Sequence, residues 1–318
     1  MIDADPTDNG SEHGSVAAQA TDPRVTAVVL NWHDPTHTAQ CLAALRDVDY
    51  ARLEIVLIDN GCDDFGRQPL ADTAITYIHS TTNLGFAGGA NLGIEQALRN
   101  GADYVWFVNN DTAPQPGSLR RMIDVAQRSP HPWALGPKVL RTSAPERIDS
   151  MAVRIDLTNG RFRIIGHDQE DRGQFDDRTI VDAVTGCAML VRADVLRALD
   201  GFDERYFAYL EDLDLCLRIR KLGGVTVVVP SAHVLHDRMA AGAGRQSTTS
   251  LYYTARNHFL LMASHGVGGL ARHALRSVSI LAVNLAFAAR STPRHTPARI
   301  VSVLAGTRDY LSRRFGQR

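Results

Sequence analysis

An α/β fold, built on a mostly parallel central sheet and followed by a C-terminal helical extension, is what this 318-residue chain predicts. Three observations carry that reading. Short runs that are apolar at nearly every position recur along the first two-thirds of the chain, which marks strands covered on both faces. Helix-length segments alternate with them, the rhythm of β-α-β units. From Tyr252 onward the pattern is helical only.

Residues 1–23 are rich in Asp, Ser, Gly and Ala, carry no Lys or Arg, and read as a disordered tail. Val25–Leu30 is the first apolar strand and His37–Leu45 a helix. Leu53–Ile58 is a second strand running into Asp59-Asn60-Gly61, and Ile75–Ile78 a third. Asn91–Asn100 reads as a helix closed by Gly101, Tyr104–Val108 as a fourth strand, and Leu119–Arg128 as another helix. Residues 138–180, rich in Arg, Asp and Gly, predict hairpins and loops over the sheet. Gly186–Val191 reads as a buried strand, Ala193–Leu199 and Leu213–Leu222 as helices, and Val225–Val229 as the last clear strand. These segments give three regions: the tail 1–23, an α/β domain over 24–262, and a helical extension over 263–318. In parallel sheets ligands collect beyond the carboxyl ends of the strands, where Asp59 and Asp111 both fall.

A net charge of −1 hides an asymmetry. Residues 266–318 hold nine Arg and one acid, Asp309, whereas residues 1–265 hold 25 basic and 34 acidic residues. A basic tail on an acidic body predicts an anionic partner, membrane lipid or nucleic acid. The apolar positions Leu270, Ala274, Leu281 and Leu285 share one helical face, with Arg272 and Arg276 elsewhere. The apolar run is too short to span a bilayer, so it predicts either an interfacial helix with Arg toward headgroups or a helix packed on the domain or a dimer partner. The four cysteines form no C-x-x-C pair and read as reduced structural thiols of a cytosolic protein; no basic start followed by an apolar run marks a signal peptide.

Two acidic elements carry the chemistry. Glu211, Asp212 and Asp214 fall within four positions after Tyr206-Phe-Ala-Tyr-Leu210. They suit a solvated first helical turn as well as a functional site. Asn109-Asn110-Asp111 ends a strand, and its oxygens suit a hard divalent cation; an Asx-turn uses the same residues. Asn83-Leu-Gly-Phe-Ala-Gly-Gly-Ala-Asn-Leu-Gly93 lacks both the dinucleotide fingerprint and the P-loop Lys. It reads as close backbone approach either to a nucleotide sugar or to the sheet. His233 and His236 lack the partners of a zinc site, though one of them could complete a cation site with Asp111.

Taken together, Val28-Val-Leu-Asn-Trp32, Asp59-Asn-Gly61, the glycine segment, Asn109-Asn-Asp111, Gly186-Cys-Ala-Met-Leu190, Gly201-Phe-Asp-Glu204, Glu211-Asp-Leu-Asp-Leu215 and Arg256-Asn257 resemble, in order, a family 2 glycosyltransferase of the rhamnosyltransferase-like group. The resemblance covers residues 24–262 and implies the GT-A fold, a Rossmann-like sheet. It implies a catalytic site at Asp212, the general base, with Glu211 beside it. It implies a nucleotide-sugar site of Asn31, Asp59, Asn83, Gly85, Gly88, Gly89, Asn91, Asn110 and Asp111. Asp111 and His236 would hold Mg²⁺ or Mn²⁺, while Asp214, Arg256 and Asn257 would orient loops or the acceptor. Two departures stand out: His33-Asp34 replaces the Asn-Gly of many relatives, and Asn109 replaces the first carboxylate of the D-x-D motif.

The activity so implied is inverting, metal-dependent transfer of a sugar, rhamnose from dTDP-rhamnose in the first instance, to a hydroxyl of a cell-envelope glycan or lipid-linked acceptor. The expected partners are the nucleotide-diphosphate sugar, that acceptor and an anionic membrane surface met by 266–318, with no nucleic acid and with a homodimer left open. The expected location is cytoplasmic, peripheral at the inner face of the cell membrane. A non-catalytic carbohydrate- or partner-binding protein on the same scaffold is the alternative. A sugar nucleotidyltransferase would need Arg and Lys in a glycine-rich signature near the first strand, and Val28–Pro35 has none.

Overall fold

The computed structural model describes residues 22–62, 74–128, 132–177, 179–237, 247–290 and 295–318. Tail residues 1–21 lie outside that set, while Asp22 pairs with Arg120 at 2.7 Å.

Four parallel strands form one half of the central sheet: β1 (Val25–Asn31), β2 (Leu53–Asn60), β3 (Ile75–Ser80) and β4 (Tyr104–Asn109), in the order β3-β2-β1-β4. The other half is mixed. It contains β5 (Thr112–Pro114), β6 (Ala134–Arg141), β7 (Ala144–Ser150), β10 (Ile180–Val181), β11 (Leu190–Arg192) and β12 (Thr226–His236). Antiparallel β11 joins β4 to β6, and β12 runs parallel to β6. A separate hairpin, β8 (Ala152–Asp156) and β9 (Arg161–Ile165), comes from the Arg-rich middle of the chain, as its composition predicted.

The apolar runs bury both faces of the strands because successive side chains point to opposite sides. Val28, Val56, Val105 and Phe107 pack beneath α2 (Gly85–Arg99) and α5 (Glu211–Lys221). Ala27, Val29, Leu57 and Trp106 meet α1 (Pro35–Arg46) and α3 (Ser118–Ala126) on the other face. After α4 (Ala193–Leu199) and α5, the chain ends in α6 (Thr248–His265), α7 (Leu270–Ala289) and α8 (Thr296–Leu311).

Four elements depart from the sequence reading. Helix α2 starts at Gly85 rather than Asn91, so the glycine segment is helix, not loop. Residues Gly186–Ala188 form a 3₁₀ turn, and only Leu190–Arg192 is strand. Strand β12 continues to His236 through a register shift between Val229 and His233, where Pro230 cannot donate to the ladder. Finally, α7 buries Arg276, Ile280, Asn284 and Ala288, a stripe of spacing four. Arg276, expected toward headgroups, instead donates to the carbonyls of Leu157 (3.2 Å) and Val267 (3.0 Å). Leu281 and Leu285 lean on the α6–α8 cluster, and Leu270 stays exposed.

Candidate active site

Parallel register sets the carboxyl ends of the strands in one row. Asn31 lies opposite Asp59, Leu30 opposite Asn109, and Asp59 opposite His79. Asp59 is fully buried, and its Oδ1 accepts from Asn31 Nδ2 (3.0 Å) and the Cys62 thiol (2.8 Å). Its Oδ2 accepts from the Tyr77 hydroxyl (2.8 Å). The Thr38 hydroxyl donates to Asn31 Oδ1 (2.9 Å) and lies 3.0 Å from the Asn110 amide nitrogen that donates to it. A continuous polar chain thus joins the ends of β2, β1 and β4, with Asp59 as its buried anchor. The aspartate organises the strand-end row from below.

The glycine segment packs closely on the sheet. A Cβ at Gly89 would stand 2.5 Å from a Leu30 methyl, and one at Gly88 would stand 2.9 Å from Leu84 Cβ. Gly85 takes φ +71°, a conformation that favours glycine. The first amides of α2 have internal partners: Leu84 N donates to Asn60 Oδ1 (2.9 Å), Gly85 N to Asn83 Oδ1 (2.8 Å) and Ala87 N to the Phe207 carbonyl (3.1 Å). Asn91 spends its amide on Phe202 N (2.8 Å), Phe202 O (3.0 Å) and Glu204 (3.0 Å). Of the two readings of this motif, these contacts realise close helix–sheet packing.

The second cluster forms around His236. Short strand β5 pairs antiparallel with β12, setting Thr112 opposite His236, and Asp237 N donates to the Asp111 carbonyl (2.8 Å). His236 Nε2 then lies 3.3 Å from Asp111 Oδ2, and Nδ1 lies 2.9 Å from Asp149 Oδ2. Burial alone would push the imidazole down, but Asp111 and Asp149 outweigh it and raise its pKa to about 9. Asp111 Oδ1 is buried and meets no hydrogen-bond partner among the described residues. A buried carboxylate oxygen in that state is suited to a cation, and an imidazole 3.3 Å from its mate supplies a second donor. Among the described residues no group of three His, Cys, Asp or Glu side chains is arranged to hold a metal by itself. His233 does not join: three residues from His236 on a strand, it projects to the opposite face.

The third cluster opens α5. Asp212 is half-buried, with Oδ2 accepting from Gly186 N (2.8 Å) and Oδ1 from Leu213 N (2.8 Å). A Cβ at Gly186 would stand 3.3 Å from that of Asp212, so the glycine lets the 3₁₀ turn approach. Burial raises the Asp212 carboxyl, and the two backbone N–H groups oppose the rise. Glu211 is raised well above the carboxylate range by burial and by the charge of Asp212 beside it. Both carboxyls are pushed up, Glu211 the further of the two, and only Asp212 has backbone N–H donors on both oxygens.

Asp214, placed by the sequence reading at a loop or acceptor, faces away as a tether. It accepts from Arg218 Nε (2.6 Å) and the Tyr206 hydroxyl (3.2 Å), with His265 Nε2 at 2.7 Å. Arg256 and Asn257, both buried, hold the loop ahead of α5. Arg256 donates to the carbonyls of Arg205 (3.0 Å), Tyr206 (2.8 Å) and Gly316 (2.6 Å). Asn257 donates to those of Tyr206 (2.8 Å), Ala208 (2.8 Å) and Tyr209 (2.7 Å). Their grip sustains positive φ at Phe207, Tyr209 and Leu210, a strained backbone for side chains of that size.

Cys187 shows that the clusters converge. Burial pushes its thiol up to about 12; the Thr185 hydroxyl opposes this, and the carboxylates of Asp149, Asp111 and Asp212 add to it. Tyr209, half exposed, likewise feels both Glu211 and Asp111. Asp149, Thr38 and Tyr209 escaped the sequence reading. Nothing local marks Asp149, whose partner His236 lies 87 residues on.

Comparison with known proteins addresses the family and the fold. The family described as "Glycosyltransferase like family 2" matches residues 23–259. The chain is 27% identical over 261 residues to "N-acetylglucosaminyl-diphospho-decaprenol L-rhamnosyltransferase" of Mycobacterium tuberculosis, covering 76% of this chain and 84% of that protein. It is 45% identical over 58 residues to "Rhamnosyltransferase WbbL" of Escherichia coli, 18% of this chain and 22% of that one. Among solved structures, mannosyltransferase PcManGT of Pyrobaculum calidifontis, in complex with GDP-Man and Mn²⁺, superposes with a TM-score of 0.57 at 16% identity, over 92% of this chain and 88% of that one. S. aureus TarS 1-349 gives 0.57 at 14% identity, over 92% and 82%. At such identities the solved structures speak for the fold.

Proposed function

The chain belongs to glycosyltransferase family 2 and has the GT-A fold, and from that premise we propose that it is an inverting transferase moving rhamnose from dTDP-rhamnose to a hydroxyl of a lipid-linked cell-envelope glycan. The observation that carries the reading is Asp212: a half-buried carboxylate held from two sides by the backbone N–H groups of Gly186 and Leu213 at the start of α5. The rhamnosyl and decaprenyl parts of the M. tuberculosis relative's name support the donor and acceptor.

In this mechanism Asp212 accepts the proton of the acceptor hydroxyl as that oxygen attacks the anomeric carbon. The bond from that carbon to the diphosphate oxygen breaks on the opposite side, so configuration inverts and the nucleoside diphosphate leaves. The Asp59–Asn31–Thr38–Asn110 chain holds the strand-end row in place where the nucleotide binds. Asp111 and His236 fit a Mg²⁺ or Mn²⁺ ion, which supplies charge neutralisation for the departing diphosphate when bound.

We place the enzyme at the inner face of the cell membrane through α7 and α8. No helix among the described residues is long and apolar enough to cross a membrane. The outer face of α7 exposes Leu275, Val278, Val283 and Phe287, and α8 exposes Val301 and Leu304. Exposed Arg272 and Arg290 flank the α7 face, while Asp309, the segment's one acid, is buried. Apolar side chains bordered by cations match an anionic bilayer surface.

The test is product analysis. Incubation with dTDP-rhamnose, Mn²⁺ and a polyprenyl-diphosphate-linked N-acetylglucosamine acceptor should yield a rhamnoside of anomeric configuration opposite to the donor's, read by NMR. Retention of configuration would refute inversion; no transfer from this donor, with transfer from another nucleotide sugar, would refute the donor.

A further inference from the structure

We propose that Asp149 is the positioning residue of the cation site: by accepting from His236 Nδ1 it fixes the imidazole with Nε2 turned to Asp111. The inference rests on the cation reading above. Asp149 reaches His236 through an irregularity in the sheet. Ser150 pairs with Val139 and Ile148 with Leu140, so two neighbours on β6 are met by residues two apart on β7, and Asp149 is the extra residue. Such a bulge re-aims a side chain and is frequent beside active sites. Here it aims a buried carboxylate, 6% exposed, at His236 with Oδ2 2.9 Å from Nδ1.

An imidazole can ligate a cation through only the nitrogen that carries no proton. A carboxylate held against Nδ1 keeps the proton there and leaves the Nε2 lone pair facing outward. Nε2 is the nitrogen 3.3 Å from Asp111 Oδ2, the mate of the unpartnered Oδ1. The bulge is secured by His167, whose Nδ1 lies 2.8 Å from the Asp149 carbonyl and 3.9 Å from its Oδ1. The carboxylate therefore has a fixed place and ring orientation to enforce. Its substitution acts through His236 rather than on substrate.

The test is cation affinity, read without turnover. Free Mn²⁺ is titrated by EPR into full-length protein saturated with dTDP, for wild type, Asp149→Asn, Asp149→Ala, His236→Gln and the double variant Asp149→Asn/His236→Gln. Loss of a carboxylate behind a metal-bound histidine costs about 10–100-fold in affinity. That loss is expected in both Asp149 variants, with melting temperature and metal-free dTDP affinity kept in Asp149→Asn. In the His236→Gln background Asp149→Asn should change Mn²⁺ affinity by less than about twofold, since the histidine through which it acts is gone. Wild-type affinity in both Asp149 single variants overturns the proposal, as does a full additional loss in the double variant. Absence of nucleotide-dependent Mn²⁺ binding in wild type would instead refute the cation reading.

Discussion

The two halves of the sheet build their parts of the site in opposite ways. In the parallel half, Asn31, Asp59 and Asn109 line up because register alone sets neighbouring strand ends side by side. In the mixed half, Asp111, Asp149, Gly186, Asp212 and His236 come from five separate segments. They are joined by a short antiparallel pairing, a bulge and a 3₁₀ turn. The first half is a shelf on which Asn31 and Asp59 find their partners within the strand ends. The second contains two buried carboxylate oxygens, Asp111 Oδ1 and Glu211 Oε2, that meet no hydrogen-bond partner among the described residues, and the strained loop. Regular pairing aligns the strand-end residues, and irregular pairing brings together the groups to which the proposed mechanism assigns the chemistry.

Several changes would break or sharpen that contrast. The largest effect is expected from Asp212→Asn, which keeps the shape but cannot take a proton. Turnover should fall by at least about a hundredfold with donor affinity nearly unchanged. Glu211→Gln should be milder, since in the proposed mechanism Asp212 alone takes the proton. Steady-state kinetics with donor titration decides; a dead Glu211→Gln beside an active Asp212→Asn would move the base one residue upstream.

On the shelf side, Gly89→Ala should damage stability rather than binding. The added methyl meets Leu30, and overpacking against a flexible neighbour should cost about 1 kcal/mol in urea unfolding. Donor affinity of the folded enzyme should stay within about twofold. A selective loss of donor affinity at unchanged stability would return the glycine segment to the binding surface.

The order in which these parts could be read from sequence follows the same division. Apolar runs and their polar ends are local signals, so β1, β2, β3 and β4 and the residues at their ends were legible. The glycine segment was legible as close approach to a nucleotide sugar or to the sheet, with no local signal to choose between them. That distinction depends on Leu30 and Asn60, which lie far away in sequence. Strand β12 was cut short because Pro230 reads as a stop, whereas the strand crosses it by shifting register. Asp149 was invisible, since a bulge leaves no compositional trace. Arg276 was misplaced because a helical wheel cannot show that the carbonyls of Leu157 and Val267 await it.

A smaller effect concerns pH. His236 has its pKa raised from 6.5 to about 9 in the metal-free fold. Its contribution to stability is therefore complete below about pH 6.5 and is lost as pH rises through about 9. The melting temperature of metal-free enzyme should fall over that window, and His236→Gln should flatten the fall. Mn²⁺ must displace the same proton, so its affinity should rise with pH until about 9. A Mn²⁺ affinity independent of pH between 6.5 and 9 would exclude His236 as a ligand.

The smallest effect is expected outside both halves, at α7. Co-sedimentation with anionic vesicles should weaken as salt rises, because the arginine contribution is screened. Arg272→Glu with Arg290→Glu should weaken it further and leave transfer to a soluble acceptor analogue intact. Indifference of the full-length protein to anionic vesicles at low salt would make the helices structural only.

Arg256 adds a temporal consequence. One guanidinium fastens the carbonyls of Arg205 and Tyr206, ahead of α5, to that of Gly316. Strain at Phe207, Tyr209 and Leu210 means that this loop has no reason to adopt its shape unaided. During synthesis, the sheet and its row of strand ends can form while later residues are still inside the ribosome. The geometry around Asp212 is completed only once residue 316 has emerged. A ribosome-bound chain stalled short of that point is expected to bind nucleotide before it can transfer sugar, so donor recognition matures ahead of catalysis.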